Sequence, residues 1–145
     1  MSAAENKMLL RRFYEEVCNQ QRFELVDQLL AENYEHHNPS LPPEMQHGRA
    51  AFGQILRIFY GAFPDLQGTV ETLIGEGDKV VARIRFRGTH RGELMGVPAS
   101  GNPVDFSVIE IYRIANGQMV EGWAALDVLG VMQQIGAMPA PQATT

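Results

Sequence analysis

The stretch R-I-A-N-G-Q-M-V-E-G-W-A-A-L-D-V-L-G, residues 113–130, decides the reading of the fold. Asn116-Gly117 is the strongest hairpin signal in the chain, because a two-residue turn with positive φ at both positions suits Asn and Gly best. The apolar runs on either side, 104–114 and 119–126, therefore read as an antiparallel pair. Side chains alternate along a strand, so an unbroken second strand puts Met119, Glu121, Trp123, Ala125 and Asp127 on one side. A carboxylate then stands beside the only tryptophan. Desolvating an ionised carboxylate against an indole is costly, and a protein that keeps one there usually pairs it or uses it for proton transfer. Asp127 is thus the first candidate catalytic residue. The same spacing also suits Asp127 as the cap of a helix starting at Val128.

Working outward, the period of two continues upstream: 68–75 and 79–89 read as strands joined by the tight turn Glu76-Gly77-Asp78. A glycine- and proline-broken loop, 90–102, separates them from the later hairpin. Further upstream the apolar spacing becomes three to four, with helices expected over about 4–19, 23–30 and 49–63. Between the last two, Pro39, Pro42 and Pro43 forbid regular structure and force a loop over 34–48. A short helix over 128–135 and a polar tail over 137–145 close the chain. Helices first and antiparallel strands afterwards read as α+β, one domain over 1–145 with its core at about 4–136. The two long strands are apolar on both faces, as a sheet covered on one side and curled around a pocket on the other requires.

Twelve basic and seventeen acidic residues give a net charge of -5, with no basic cluster suited to phosphate, so nucleic acid is not an expected partner. Arg83, Arg85 and Arg87 recur at period two and read as one solvated strand face. A single cysteine, Cys18, excludes a disulfide framework and a thiolate metal site, and is expected to pack as a small core thiol. With neither a signal-like segment nor a membrane-length apolar run, a soluble cytoplasmic protein is expected.

Six segments in order resemble the SnoaL-like polyketide cyclases. They are Phe63-Pro64-Asp65-Leu66, Gly77-Asp78-Lys79-Val80-Val81, Gly88-Thr89-His90-Arg91-Gly92-Glu93, the turn from Arg113-Ile114 to Asn116-Gly117, Val120-Glu121-Gly122-Trp123, and Asp127-Val128-Leu129-Gly130 with Gln133-Gln134-Ile135-Gly136 behind it. The resemblance covers nearly the whole chain. It implies a nuclear transport factor 2-like, cystatin-like cone: a curved antiparallel sheet with N-terminal helices around a pocket. It also implies acid/base catalysis of an intramolecular aldol closure by the aspartate after the Trp-bearing strand, here Asp127, with no cofactor. A homodimer is implied as well. At one point the chain departs from the pattern: the family's Glu-His-Trp is Glu121-Gly122-Trp123 here.

His36 and His37 are the other catalytic candidates, since one of two neighbours faces a cavity while the other points away, and an imidazole could steady a developing enolate. Tyr14, Phe59, Phe63, Phe106 and Trp123 are expected to line the pocket. Glu110, on the same strand face as Phe106 and Val108, is a second possible interior carboxylate, with an exposed or cross-strand-paired glutamate as its alternative. His90 enters as a pocket residue or as a tie for its own loop. No histidine spacing suits a metal. The expected activity is therefore cofactor-free cyclisation or isomerisation of a small apolar carbonyl compound. The alternatives are a noncatalytic binding or dimerisation module and an epoxide hydrolase.

Overall fold

The computed structural model describes residues 2–141. Its elements are α1 (Ala3–Arg12), α2 (Val26–Leu29), β1 (Leu30–His37), α3 (Arg49–Ala62), β2 (Gln67–Glu76), β3 (Lys79–Thr89), β4 (Pro103–Ala115), β5 (Gln118–Leu126) and α4 (Val128–Gln134). The strands form one curved, unclosed sheet in the order β1-β5-β4-β3-β2. β1 runs parallel to β5, and the other neighbours are antiparallel. The mixed α+β architecture and the cone are as expected. Of the expected polar tail, 137–141 is exposed and the rest lies outside the described residues.

The first helix starts on a reciprocal cap in which Ser2 and Glu5 satisfy each other's backbone N–H groups. Beyond Arg12 it widens into a π-helical stretch, Phe13–Asn19, which buries Phe13, Tyr14, Val17 and Cys18 against the sheet. Wider helical turns of this kind are rare and are found frequently at functional sites. Asn116 and Gly117 both take positive φ, as the hairpin reading requires.

Two departures from the sequence expectation shape the interior. First, Leu30 ends the second helix and begins β1, a strand where a helix end and a loop were expected. The segment L-A-E-N-Y-E-H-H carries few apolar residues, because only Leu30, Tyr34 and His36 are buried. Second, the alternation along β5 is broken. Arg113 pairs with Glu121 while the next β4 residue, Ile114, pairs with Met119, which leaves Val120 as the extra residue of a bulge. Met119 stays inside, but beyond the bulge the inward positions are Gly122, Ala124 and Leu126. Trp123 and Asp127 therefore stand on the outer face, contrary to the alternation that placed them inside.

The inner face of β4 presents Phe106, Val108, Glu110, Tyr112 and Ile114. Its two largest polar side chains are flanked by small ones: Glu110 lies between Ala82 and Ala124, and Tyr112 has Gly122 on its β5 side. A Cβ at Gly122 would overlap the Tyr34 hydroxyl and meet the Tyr112 ring at 2.7 Å. Gly122→Ala is accordingly expected to lower stability in urea unfolding by about 1–3 kcal/mol. Adding Tyr34→Phe should recover part of that loss. An alanine variant as stable as the parent would contradict this packing.

Candidate active site

The interior carboxylate is Glu110. Tyr14, on the π-helical stretch, donates its hydroxyl to Glu110 Oε1 at 3.0 Å, and Tyr112 donates to Oε2 in a short hydrogen bond. Protein encloses the group except where it faces a cavity of about 100 Å³ lined also by Cys18, His36, Phe59, Tyr60 and Phe106. Burial drives its pKa above the ordinary carboxylate value of 4.5, and the two tyrosine hydroxyls pull the other way. The result is a carboxylate that can be ionised yet holds a proton more readily than a surface glutamate.

His36 brings an imidazole to the cavity wall, and the structure separates it from its neighbour. In the parallel β1–β5 register His36 lies opposite Gly122 and His37 opposite Trp123. His36 thus points inward, only 4% exposed, while His37 points outward, stacks on Trp123 with ring centres 5.3 Å apart, and bonds Glu121 at 2.7 Å. Arg113 holds the other oxygen of Glu121 at 3.0 Å, and His37 and Arg113 together keep that carboxyl below its usual range. The His36 ring packs edge-on against Phe52, and its Nδ1 lies 2.9 Å from the Tyr34 hydroxyl. With the tyrosine donating to Nδ1, the neutral ring carries its proton on Nε2. Burial, and secondarily the neighbouring His37, push its pKa down from 6.5 to about 4.

Of the other expected pocket residues, Tyr14, Phe59, Phe106 and Glu110 line the cavity. Phe63 is fully buried in the core without lining it, and Trp123 is outside. His90 is a loop tie: Nδ1 contacts Ser100 Oγ at 2.9 Å and accepts from its backbone N–H, while its own backbone bonds Asn102 and Gly101. Asp127 is exposed, caps α4 by accepting from Gly130 N at 2.9 Å, and borders a shallow polar groove with Arg83, Arg85 and Asp105. The structure brings Glu110 and His36 to one cavity and leaves His37, Trp123 and Asp127 on the far face. Among the described residues there is no group of three or more His, Cys, Asp or Glu placed to hold a metal ion.

The sequence reading missed Tyr34, Tyr60, Tyr112 and Asn38. A signal for Tyr112 was present, since a glycine at the paired position of β5 marks where β4 carries a bulky side chain into the interior. Tyr34 and Asn38 depend on β1, which the sequence pattern concealed.

The pKa shifts of the two groups act on stability in opposite senses. His36 has a folded pKa below its unfolded value, so its share of stability is present above about pH 6.5 and is lost as pH falls toward 4. Glu110 has a raised pKa, so its share is present below about 4.5 and is lost as pH rises through its folded value. Imidazole NMR should show His36 neutral down to about pH 4, with Tyr34→Phe altering its ring-nitrogen shifts. A midpoint near 6.5 would contradict the enclosed site.

The sequence matches the SnoaL-like polyketide cyclase family over residues 8–135. Among solved structures, TsrD from Streptomyces laurentii is 30% identical, covers 95% of this chain and 99% of its own, and superposes with a TM-score of 0.83. A protein of Jannaschia sp. CCS1, assigned as a SnoaL-like polyketide cyclase, is 27% identical over 94% of this chain and 95% of that one, with a TM-score of 0.85. AclR from Streptomyces galilaeus, assigned as a hydroxylase, is 26% identical over 97% and 87%, also with a TM-score of 0.85. A comparison with curated proteins found no match.

Proposed function

The chain belongs to the SnoaL-like polyketide cyclase family, and we propose that it is a cofactor-free acid/base enzyme acting on a small apolar carbonyl compound, with Glu110 as its base. The observation that carries this reading is the Glu110 carboxylate facing an apolar cavity between two tyrosine hydroxyls. Its raised pKa brings a carboxylate closer to the working range of a general base near neutral pH. Glu110 takes a proton from the carbon next to the substrate carbonyl. The electron pair moves onto the carbonyl oxygen, where the neutral His36 donates from Nε2 to the growing negative charge. The enolate carbon then bonds a second carbonyl carbon of the same molecule, and the resulting alkoxide takes the proton from Glu110. In an isomerisation the same proton returns to a different carbon.

The resemblance assigns the acid/base role to Asp127, and the geometry supports Glu110 in its place. His36 lies opposite Gly122 across β1 and β5, so an imidazole from the neighbouring strand is set beside the position where the family pattern carries histidine. The cavity lining offers one carboxylate and no arginine, which disfavours the water-positioning arrangement of an epoxide hydrolase. The outer sheet face, with Ile109 half exposed and Trp123 partly so, supports pairing of two copies. The free thiol of Cys18 fits a reducing cytoplasm. No helix among the described residues is long and apolar enough to cross a membrane.

A second reading is a noncatalytic binding module, favoured by the engagement of Asp127 as a helix cap. Deuterium exchange at the α-carbon of a bound methyl ketone separates the readings. The parent protein should accelerate exchange, and Glu110→Gln should reduce that acceleration by about 10²–10⁴-fold. Ketone binding without accelerated exchange supports the binding module. Loss of exchange in Asp127→Asn, with Glu110→Gln unaffected, moves the base to Asp127.

A further inference from the structure

Beside the chamber that holds Glu110 lies a second one of about 300 Å³, walled by apolar side chains that include Leu41, Met45, Ile58, Met95, Val131 and Met132. Among the described residues its polar side chains are Asn38 and Ser40. The two chambers adjoin, with Asn38, Ile55, Phe59 and Leu126 lining both. The inner chamber alone is too small for a fused polycycle. A cavity of about 150 Å³ admits a single benzene ring, so the inner chamber, at about 100 Å³, takes a group of a few heavy atoms. The outer chamber stands at the low end of small-molecule sites, roughly 300–1,000 Å³.

The geometry points to a two-part substrate: a compact carbonyl head seated in the inner chamber, and a flexible apolar tail that passes Phe59 and Leu126 to fill the outer one. This rests on the reading of Glu110 as the reacting group's partner, because that reading fixes which end of the molecule goes inside. Three further features agree with it. The Tyr60 hydroxyl is buried on the inner wall without a hydrogen-bond partner among the described residues. The Cys18 thiol is close enough to interact with it but is only a weak acceptor. A buried hydroxyl with no partner stronger than a thiol is poorly satisfied, and a head-group oxygen would satisfy it. At the junction, Asn38 uses Oδ1 to accept from Ser40 N at 3.0 Å, leaving its amide N–H groups for an oxygen one step along the chain. The tail chamber contributes no charge, and its methionines can adapt to tails of differing shape.

Methyl ketones of increasing chain length, from butanone upward, test this by calorimetry on the intact protein. Affinity should rise about fourfold per methylene while the tail enters the outer chamber, then level off. Acetylanthracene, the same head on a rigid fused tricycle, should bind more weakly than a linear ketone of similar carbon count. Affinity that ignores chain length, or tighter binding of the tricycle, overturns the proposal. Ile58→Trp, at a part-exposed position on the outer wall, should move the levelling-off to shorter ketones by several carbons, and an unmoved limit also counts against it. Glu110→Gln should keep the chain-length dependence of binding while losing α-carbon exchange. Exchange that persists there beside an intact length dependence sinks the role of Glu110 alone, and a lost length dependence in the parent sinks the two-chamber substrate alone.

Discussion

The hydrogen bonds from Tyr14 and Tyr112 to Glu110 are the interaction on which the interior is arranged. A carboxylate on the inner face of a central strand would be prohibitive to desolvate without donors, and these two hydroxyls supply them. They come from different layers, Tyr112 from the sheet and Tyr14 from the helix above it. The widened helical stretch over Phe13–Asn19 places Tyr14 there. Room comes from the neighbouring strands, where Ala82, Ala124 and Gly122 replace the larger residues a solid core would carry. Helix packing, strand composition and the cavity thus answer one electrostatic requirement.

Much of this was legible in the sequence because its signals are local. The Asn116-Gly117 turn fixed the β4–β5 hairpin, and period two along β4 correctly listed Glu110 on the face of Phe106 and Val108. The charged alternate positions fared equally well: Arg85 grips Asp105 through two hydrogen bonds on the outer face. The errors have a shared cause. One inserted residue, Val120, reverses the facing of every later side chain on β5, and alternation carries no mark of such an insertion. Trp123 and Asp127 consequently changed sides. β1 was hidden because a strand at the sheet's end, with few inward residues, lacks the apolar run that announces a strand.

The adjacent histidines show how backbone geometry sorts chemistry. His36 and His37 differ by one position, yet one is neutral in an aromatic pocket and the other is paired with Glu121 in solvent. The sequence could say that they face opposite ways. Which one faced inward followed only from the pairing of β1 with β5. Family membership fixes the scaffold in the same limited way. Neighbours of nearly equal structural likeness include one assigned as a cyclase and one assigned as a hydroxylase, so the activity of any one chain is set by the groups its cavity holds.

The central claim is that the working carboxylate is inside the cone, and the protonation of Glu110 tests it most directly. Carbon NMR of the labelled side-chain carboxyl, followed against pH with and without a bound methyl ketone, reads that state without relying on turnover. The account predicts a midpoint above the ordinary glutamate value of 4.5, displaced further when the ketone fills the cavity. A midpoint at the ordinary value that the ketone leaves unmoved would contradict it.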